Sequence, residues 1–155
     1  MHLPWSDGQC TRGRRATAVI FAVYLAGVAR LTLWPEPFGP ETVDAVQRAV
    51  VWLTARGLPF TYGVVEALAN VALFVPFGLL AGLLVSRRRW WVVLTAGCAT
   101  SALIETIQLL FLPTRVATVQ DVVLNALGTA LGLLVLARAG GAPLGLVPER
   151  GDRTY

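Results

Sequence analysis

Eight polar side chains stand in or beside apolar stretches of this chain, and their types are those that bind charged groups or move protons. They are Arg30, Glu66, Asn70, Glu105, Gln108, Arg115, Asp121 and Asn125. A charged group at the centre of a membrane helix costs roughly 2.5–3.5 kcal/mol or more, so each needs a reason to be there. Glu105 is the hardest to dismiss, since it lies roughly 10 Å inside its apolar run at ~1.5 Å per residue. As a group in reach of a substrate it would serve as acid or base, with Gln108 to orient it and Arg115 to meet a phosphate. If all are ionised, Glu66, Glu105 and Asp121 outnumber Arg30 and Arg115. Such a cluster favours a bound cation, a proton on Glu105, or a cationic or amine-bearing ligand. His2, the only histidine, stands at the terminus, and Cys10 and Cys98 are too few for a disulfide framework. No metal site, cofactor or histidine-based catalysis is expected, and no catalytic residue is assigned unless Glu105 is one.

Apolar runs must position these residues. The chain has 155 residues, 55% hydrophobic and only 14% charged, against about 25% charged in a typical soluble domain. Runs at about 16–34, 64–85, 90–112 and 122–138 fit the roughly 17–25 residues of a spanning helix, and helices satisfy every backbone group internally. The expected fold is an all-α, four-transmembrane-helix bundle. Val43, Val46, Val50 and Leu53, between Pro40 and Gly57, add an amphipathic outer-loop helix at about 41–56, lying on the membrane face and covering the bundle mouth. Residues 1–15 form a tail, 16–138 the transmembrane domain, and 139–155 a disordered tail.

The basic residues are all arginine. Arg12, Arg14 and Arg15 precede the first run, Arg87–Arg89 separate the second from the third, and Arg138, Arg150 and Arg153 follow the fourth. Arginine in short loops marks the cytoplasmic side, so both termini are expected there, in a multi-pass protein of the plasma membrane. The arginines form no continuous patch with stacking aromatics, so no nucleic acid is expected. A competing reading makes the first run a signal peptide cleaved after Gly27-Val28-Ala29.

With successive helices running in opposite directions, the polar residues of all four converge on the outer third of the membrane. They also share stripes. Glu66, Asn70, Phe74, Gly78 and Gly82 step by four; Gly97, Ser101, Glu105 and Gln108 form a second stripe; Asp121, Asn125, Gly128 and Gly132 form a third. Gly78/Gly82 and Gly128/Gly132 are GxxxG patterns for close helix packing, and they permit a homo-oligomer. A bundle packed tightly toward the cytoplasm and opening into an outward polar pocket follows. Pro76 removes a backbone hydrogen bond beside that pocket. Local alternatives stand beside this reading: Thr118 and Asp121 fit a capping box, Asn70 and Asn125 suit interhelical hydrogen bonds, and Arg30 could pair with Glu66 or Glu105.

The stretch Asn70-Val71-Ala72-Leu73-Phe74-Val75-Pro76-Phe77-Gly78 resembles the signature of VanZ-like proteins. Glu105-x-x-Gln108, Arg115 and Asp121-x-x-x-Asn125-x-x-Gly128-x-x-x-Gly132 resemble that family's second block, and Arg30-Leu31-Thr32-Leu33-x-Pro35 its first-helix ending. The likeness covers about residues 20–136. It implies a bacterial multi-pass membrane protein of a family whose namesake is associated with resistance to the glycopeptide teicoplanin; it implies no reaction. Three functions fit: a binding protein for an envelope lipid, a lipid-linked precursor or a lipopeptide-like antibiotic; an intramembrane enzyme using Glu105; or a structural partner of another membrane complex.

Overall fold

The computed structural model describes residues 6–34, 39–57, 61–112 and 118–140. Apolar runs become helices here because hydrocarbon leaves the backbone no other partner. The helices are α1 (Ser6–Leu33), α2 (Pro40–Thr54), α3 (Tyr62–Leu84), α4 (Trp90–Phe111) and α5 (Val119–Arg138), with one 3-10 turn at Arg87–Arg89 between α3 and α4. No strand occurs among the described residues. Four stretches, Arg12–Leu33, Tyr62–Leu84, Arg87–Phe111 and Val119–Arg138, are long and apolar enough to cross a membrane. Their outward side chains are large and apolar, Leu109, Leu110, Phe111 and Val135 among them. An apolar surface this extensive is one that lipid covers.

Two boundaries differ from those expected. α1 begins at Ser6, well before its apolar run, because hydropathy marks the part in lipid and not where helical hydrogen bonding starts. At ~1.5 Å per residue its 28 residues reach about 42 Å, so the turns carrying Arg12, Arg14 and Arg15 project beyond a ~30 Å hydrocarbon core. α5 begins at Val119 because Thr118 caps it: the Thr118 hydroxyl accepts from the Asp121 N–H at 3.2 Å. The tail at 141–155 lies outside the described residues.

α2 has the expected place, with Gly39 as its N-cap and Gly57 beyond its end at a φ of 78°, a conformation glycine adopts without strain. It does not cover the bundle. Its contact with the spanning helices is marginal at most, and Val43, Val51 and Trp52 are exposed. The short stripe of valines and Leu53 suits a flat apolar surface better than a groove between helices.

The bundle is organised on α3 and α5. These two run parallel, as the second and fourth spans of an alternating four-pass chain must, and share the most extensive interface. A Cβ placed on Gly128 would fall 2.2 Å from the carbonyl oxygen of Val71, one on Gly132 2.2 Å from that of Val75, and one on Gly78 2.1 Å from that of Thr129. At three positions, then, a carbonyl of one helix occupies the space of a side chain on the other. This is backbone contact of the Cα–H···O kind. Gly82 differs, since it faces the side chains of Leu133 and Leu136. α4 joins antiparallel to α5, where the Thr129 side chain fills the notch at Gly97.

α1 closes the bundle through Phe21, whose ring meets Phe77 edge-on at 5.2 Å. Val28 is buried in the same core with Phe74, Phe77, Ala81, Val93 and Ile104. Tyr24 donates its hydroxyl hydrogen to the carbonyl of Leu73, next to the Ala72 carbonyl whose helical N–H donor Pro76 removes. Neighbouring hydroxyls are one means by which membrane helices tolerate proline. α1 is thus an integral part of the core. A cut after Ala29 would remove Tyr24 and Val28 from it.

The arginine-bearing end is less tightly packed than its glycines suggested. The GxxxG contacts bring α3 against α5, but an apolar groove of about 320 Å3 remains beside Trp90 and Leu133, between the start of α4 and the ends of α3 and α5.

Gly128→Ala and Gly132→Ala should each cost about 1–3 kcal/mol through overpacking and lower the melting temperature in detergent. Gly27→Ala, whose Cβ meets nothing within 4 Å, should be neutral or stabilising by up to about 1 kcal/mol. Equal melting of Gly128→Ala and wild type would refute the backbone contact.

Candidate polar site at the carboxylate end of the bundle

The parallel setting of α3 against α5 puts their N-terminal turns side by side, and the polar residues meet there. Asn70 of α3 donates its side-chain N–H to Asp121 Oδ1. The other oxygen of Asp121 accepts from the Thr118 hydroxyl at 2.7 Å, while that hydroxyl caps the helix. Both Asp121 oxygens are therefore engaged, one between helices and one on the Thr118 hydroxyl; only half of the capping box expected from T-x-x-D forms, because the Thr118 N–H goes to Glu105.

Glu105 reaches the same place from α4. Its Oε2 accepts the backbone N–H of Thr118 at 2.9 Å, which ties α4 to the first turn of α5. Glu105 is half-buried and its second carboxylate oxygen takes no hydrogen bond among the described residues. Glu66 stands one turn before Asn70 on α3, exposed. Asp121 binds the same Thr118 whose N–H holds Glu105. Three carboxylates thus share one end of the bundle. Among the described residues no three of His, Cys, Asp and Glu assemble as a metal-holding group.

One turn deeper, Asn125 donates to Ser101 Oγ at 2.8 Å. Asn125 is 5% exposed and Ser101 fully buried. Asn125 Oδ1 is buried with no partner among the described residues. Thr129, below it, returns its hydroxyl to the Asn125 carbonyl at 3.0 Å. On the far side of α4, Gln108 donates to the carbonyl of Thr32 at 2.9 Å, pinning α4 to the end of α1.

Sequence reasoning placed these residues at one depth, and the structure separates their tasks. Asn70, Gln108, Asp121 and Asn125 join helices. Among the described residues, Glu66 and Glu105 keep acceptor atoms without a hydrogen-bond partner. Arg30 pairs with neither carboxylate: its guanidinium lies over the Trp34 ring, 4.0 Å from the centroid, and no ion pair to it occurs among the described residues. One helical turn separates Arg30 from Trp34, so the local cation–π contact costs less ordering than reaching another helix. Arg115 and Pro35 lie outside the described residues. Tyr24, Thr32 and Thr129 escaped the reading. Pro76 was the available signal for Tyr24, since a proline in a membrane helix calls for a donor nearby. Thr32 acts through its backbone, and Thr129 lies off the four-residue steps of the glycine stripe.

A family model described as VanZ/LLP1 matches residues 21–140, from within α1 to just beyond α5. Comparison with curated proteins and with solved structures finds no match.

The Asn70–Asp121 bond should register in a double-mutant cycle with Asn70→Ala and Asp121→Ala. The expected coupling is about 0.6–1.7 kcal/mol, the range for interhelical hydrogen bonds in lipid, read from unfolding in detergent or bicelles. Additive losses would mean that the two residues stabilise separate elements.

Proposed function

The chain belongs to the VanZ/LLP1 family, and from that premise we propose a binding protein of the bacterial plasma membrane that captures a cationic or amine-bearing group at its outer face. The molecule bearing the group is a cell-envelope lipid, a lipid-linked precursor or a lipopeptide-like antibiotic, and the phenotype is altered susceptibility to glycopeptides such as teicoplanin. The observation that carries this reading is the division among the polar residues. Hydrogen bonds between helices consume Asn70, Gln108 and Asp121, whereas Glu66 and the second oxygen of Glu105 take no partner among the described residues at the bundle end. Two carboxylates with free acceptors call for positive charge or N–H donors.

The positive-inside rule gives the orientation. Arg12, Arg14, Arg15, Arg87, Arg88, Arg89 and Arg138 gather at the opposite end, so both termini are cytoplasmic and the carboxylates face outward. That places Glu66 and Glu105 at the depth of outer-leaflet headgroups, where lipid-anchored molecules present their polar parts.

An enzymatic reading rests on one feature, the Thr118 N–H that fixes one oxygen of Glu105 and leaves the other free. A general base is oriented in this way. The two readings differ in what Glu66 does: a binding site needs both carboxylates, whereas acid-base chemistry at Glu105 needs one.

Expression in a glycopeptide-susceptible bacterium should raise the inhibitory concentration of teicoplanin more than that of vancomycin. Removing one charge-assisted contact of about 1.5–3 kcal/mol through Glu66→Gln or Glu105→Gln should weaken binding about tenfold or more and erase most of that effect, at unchanged protein level in the membrane. An effect lost in Glu105→Gln but kept in Glu66→Gln would favour chemistry at Glu105. No change for any envelope-active compound with wild type would reject the binding reading.

A further inference from the structure

The arginine-bearing end carries a second feature, unrelated to the carboxylates. Between the start of α4 and the ends of α3 and α5 lies the groove of about 320 Å3, lined by Val93 and Leu94 on α4 and by Ala130, Leu133 and Leu134 on α5, with Ser86 and Arg87 at its mouth. Its lining is almost wholly apolar, and an apolar slot of this kind holds no stable water. Trp90 and Leu134 on its flanks are 57% and 43% exposed, so it opens sideways to the surroundings of the bundle, which in a membrane are acyl chains.

The mouth has a definite charge. The Arg87 guanidinium donates to the carbonyl of Ala137 at 2.9 Å, answering the negative C-terminal end of α5 and fixing the cation across the rim. A guanidinium has five donors, so others remain for a ligand. Arg88 and Arg89 follow it, exposed, and Arg138, next to Ala137 of the lining, is exposed as well. No carboxylate lines the groove. Trp90 sits at the run's end, where indoles meet the headgroup layer.

We propose that this groove is a site for one anionic glycerophospholipid, holding an acyl chain between α4 and α5 with the phosphate on Arg87 and Arg88. An apolar slot leading to a fixed cation matches the order of groups in such a lipid, tail then phosphate. By the orientation above, the lipid comes from the cytoplasmic leaflet. An acyl chain there would fill the groove that α4 and α5 line together.

Native mass spectrometry of the purified full chain, equilibrated in mixed micelles with equal amounts of phosphatidylglycerol and phosphatidylcholine, tests the site. Wild type should retain phosphatidylglycerol over phosphatidylcholine by about fivefold or more, since each arginine near a lipid surface contributes roughly 1 kcal/mol. Arg87→Gln/Arg88→Gln should bring the two lipids near parity. Because Arg87 also caps α5, Arg88→Gln alone is the control for folding and should lose part of the preference at an unchanged melting temperature. Ala130→Trp, which fills the groove from its open side, should release both lipids with the arginines intact. Parity in wild type would overturn the proposal. So would undiminished phosphatidylglycerol in Ala130→Trp, because attraction to surface charge would then suffice.

Discussion

Backbone contact between α3 and α5 is the constraint on which the other arrangements depend. Hydrocarbon offers helices no hydrophobic reward for associating, so attraction must come from close packing and from polar contacts. Glycines at 78, 128 and 132 let carbonyls of the facing helix enter the positions where side chains would stand. Such contacts tolerate little sliding, because a shift by one residue would drive a Cβ into a carbonyl. The register they impose sets Asn70 level with Asp121. It also turns Thr129 so that its carbonyl meets Gly78 while its side chain enters the notch at Gly97. One residue thereby fixes where three helices meet, and Asn125, one turn above, comes level with Ser101.

Once the register is set, the polar residues need not all be functional to be retained. A side-chain hydrogen bond between membrane helices is worth only about 0.6 kcal/mol on average, while an unsatisfied polar group in hydrocarbon costs several. Asn70, Asp121 and Gln108 are therefore stable as pairs and would be liabilities alone. Glu66 and Glu105 escape this logic, since they stand at the bundle end with acceptors to spare. The buried Oδ1 of Asn125 is the exception inside the bundle, and it sits where the hydrogen-bonded layer meets the glycine layer.

How much of this was legible in the sequence follows from which physics each feature obeys. The four spans were readable because hydropathy reports the solvent, and lipid is a uniform one. Helix starts were less so: α1 extends to Ser6 on backbone hydrogen bonds that apolarity does not register, whereas Thr118 announced itself through its spacing to Asp121. The depth of the polar residues was readable from their distance to the run ends. Their partners were not, because pairing depends on how each helix is rotated, and glycine contacts decide that. Arg30 shows the limit, since its partner proved to be Trp34, just past the end of its own helix, and not a carboxylate on another. The groove beside Trp90 was invisible because it is lined by the end of α3, the start of α4 and the end of α5 together, and their relative placement is encoded by no single stripe of residues.

The parallel course of α3 and α5 also accounts for the separation of charge between the two ends. Antiparallel neighbours largely cancel their dipoles, but two parallel central helices bring two N-termini to one end and two C-termini to the other. Partial positive charge at the N-termini favours carboxylates, and there Glu66 stands near the start of α3 and Asp121 in the first turn of α5. Glu105, though it belongs to α4, is held by the N–H of Thr118, the N-cap of α5. At the opposite end Arg87 meets the C-terminal carbonyl of Ala137 and Arg138 occupies the last turn. The acidic and basic ends are thus stabilised by the same backbone arrangement that the glycines impose. The packing motif and the chemistry at either end follow from one choice of helix direction.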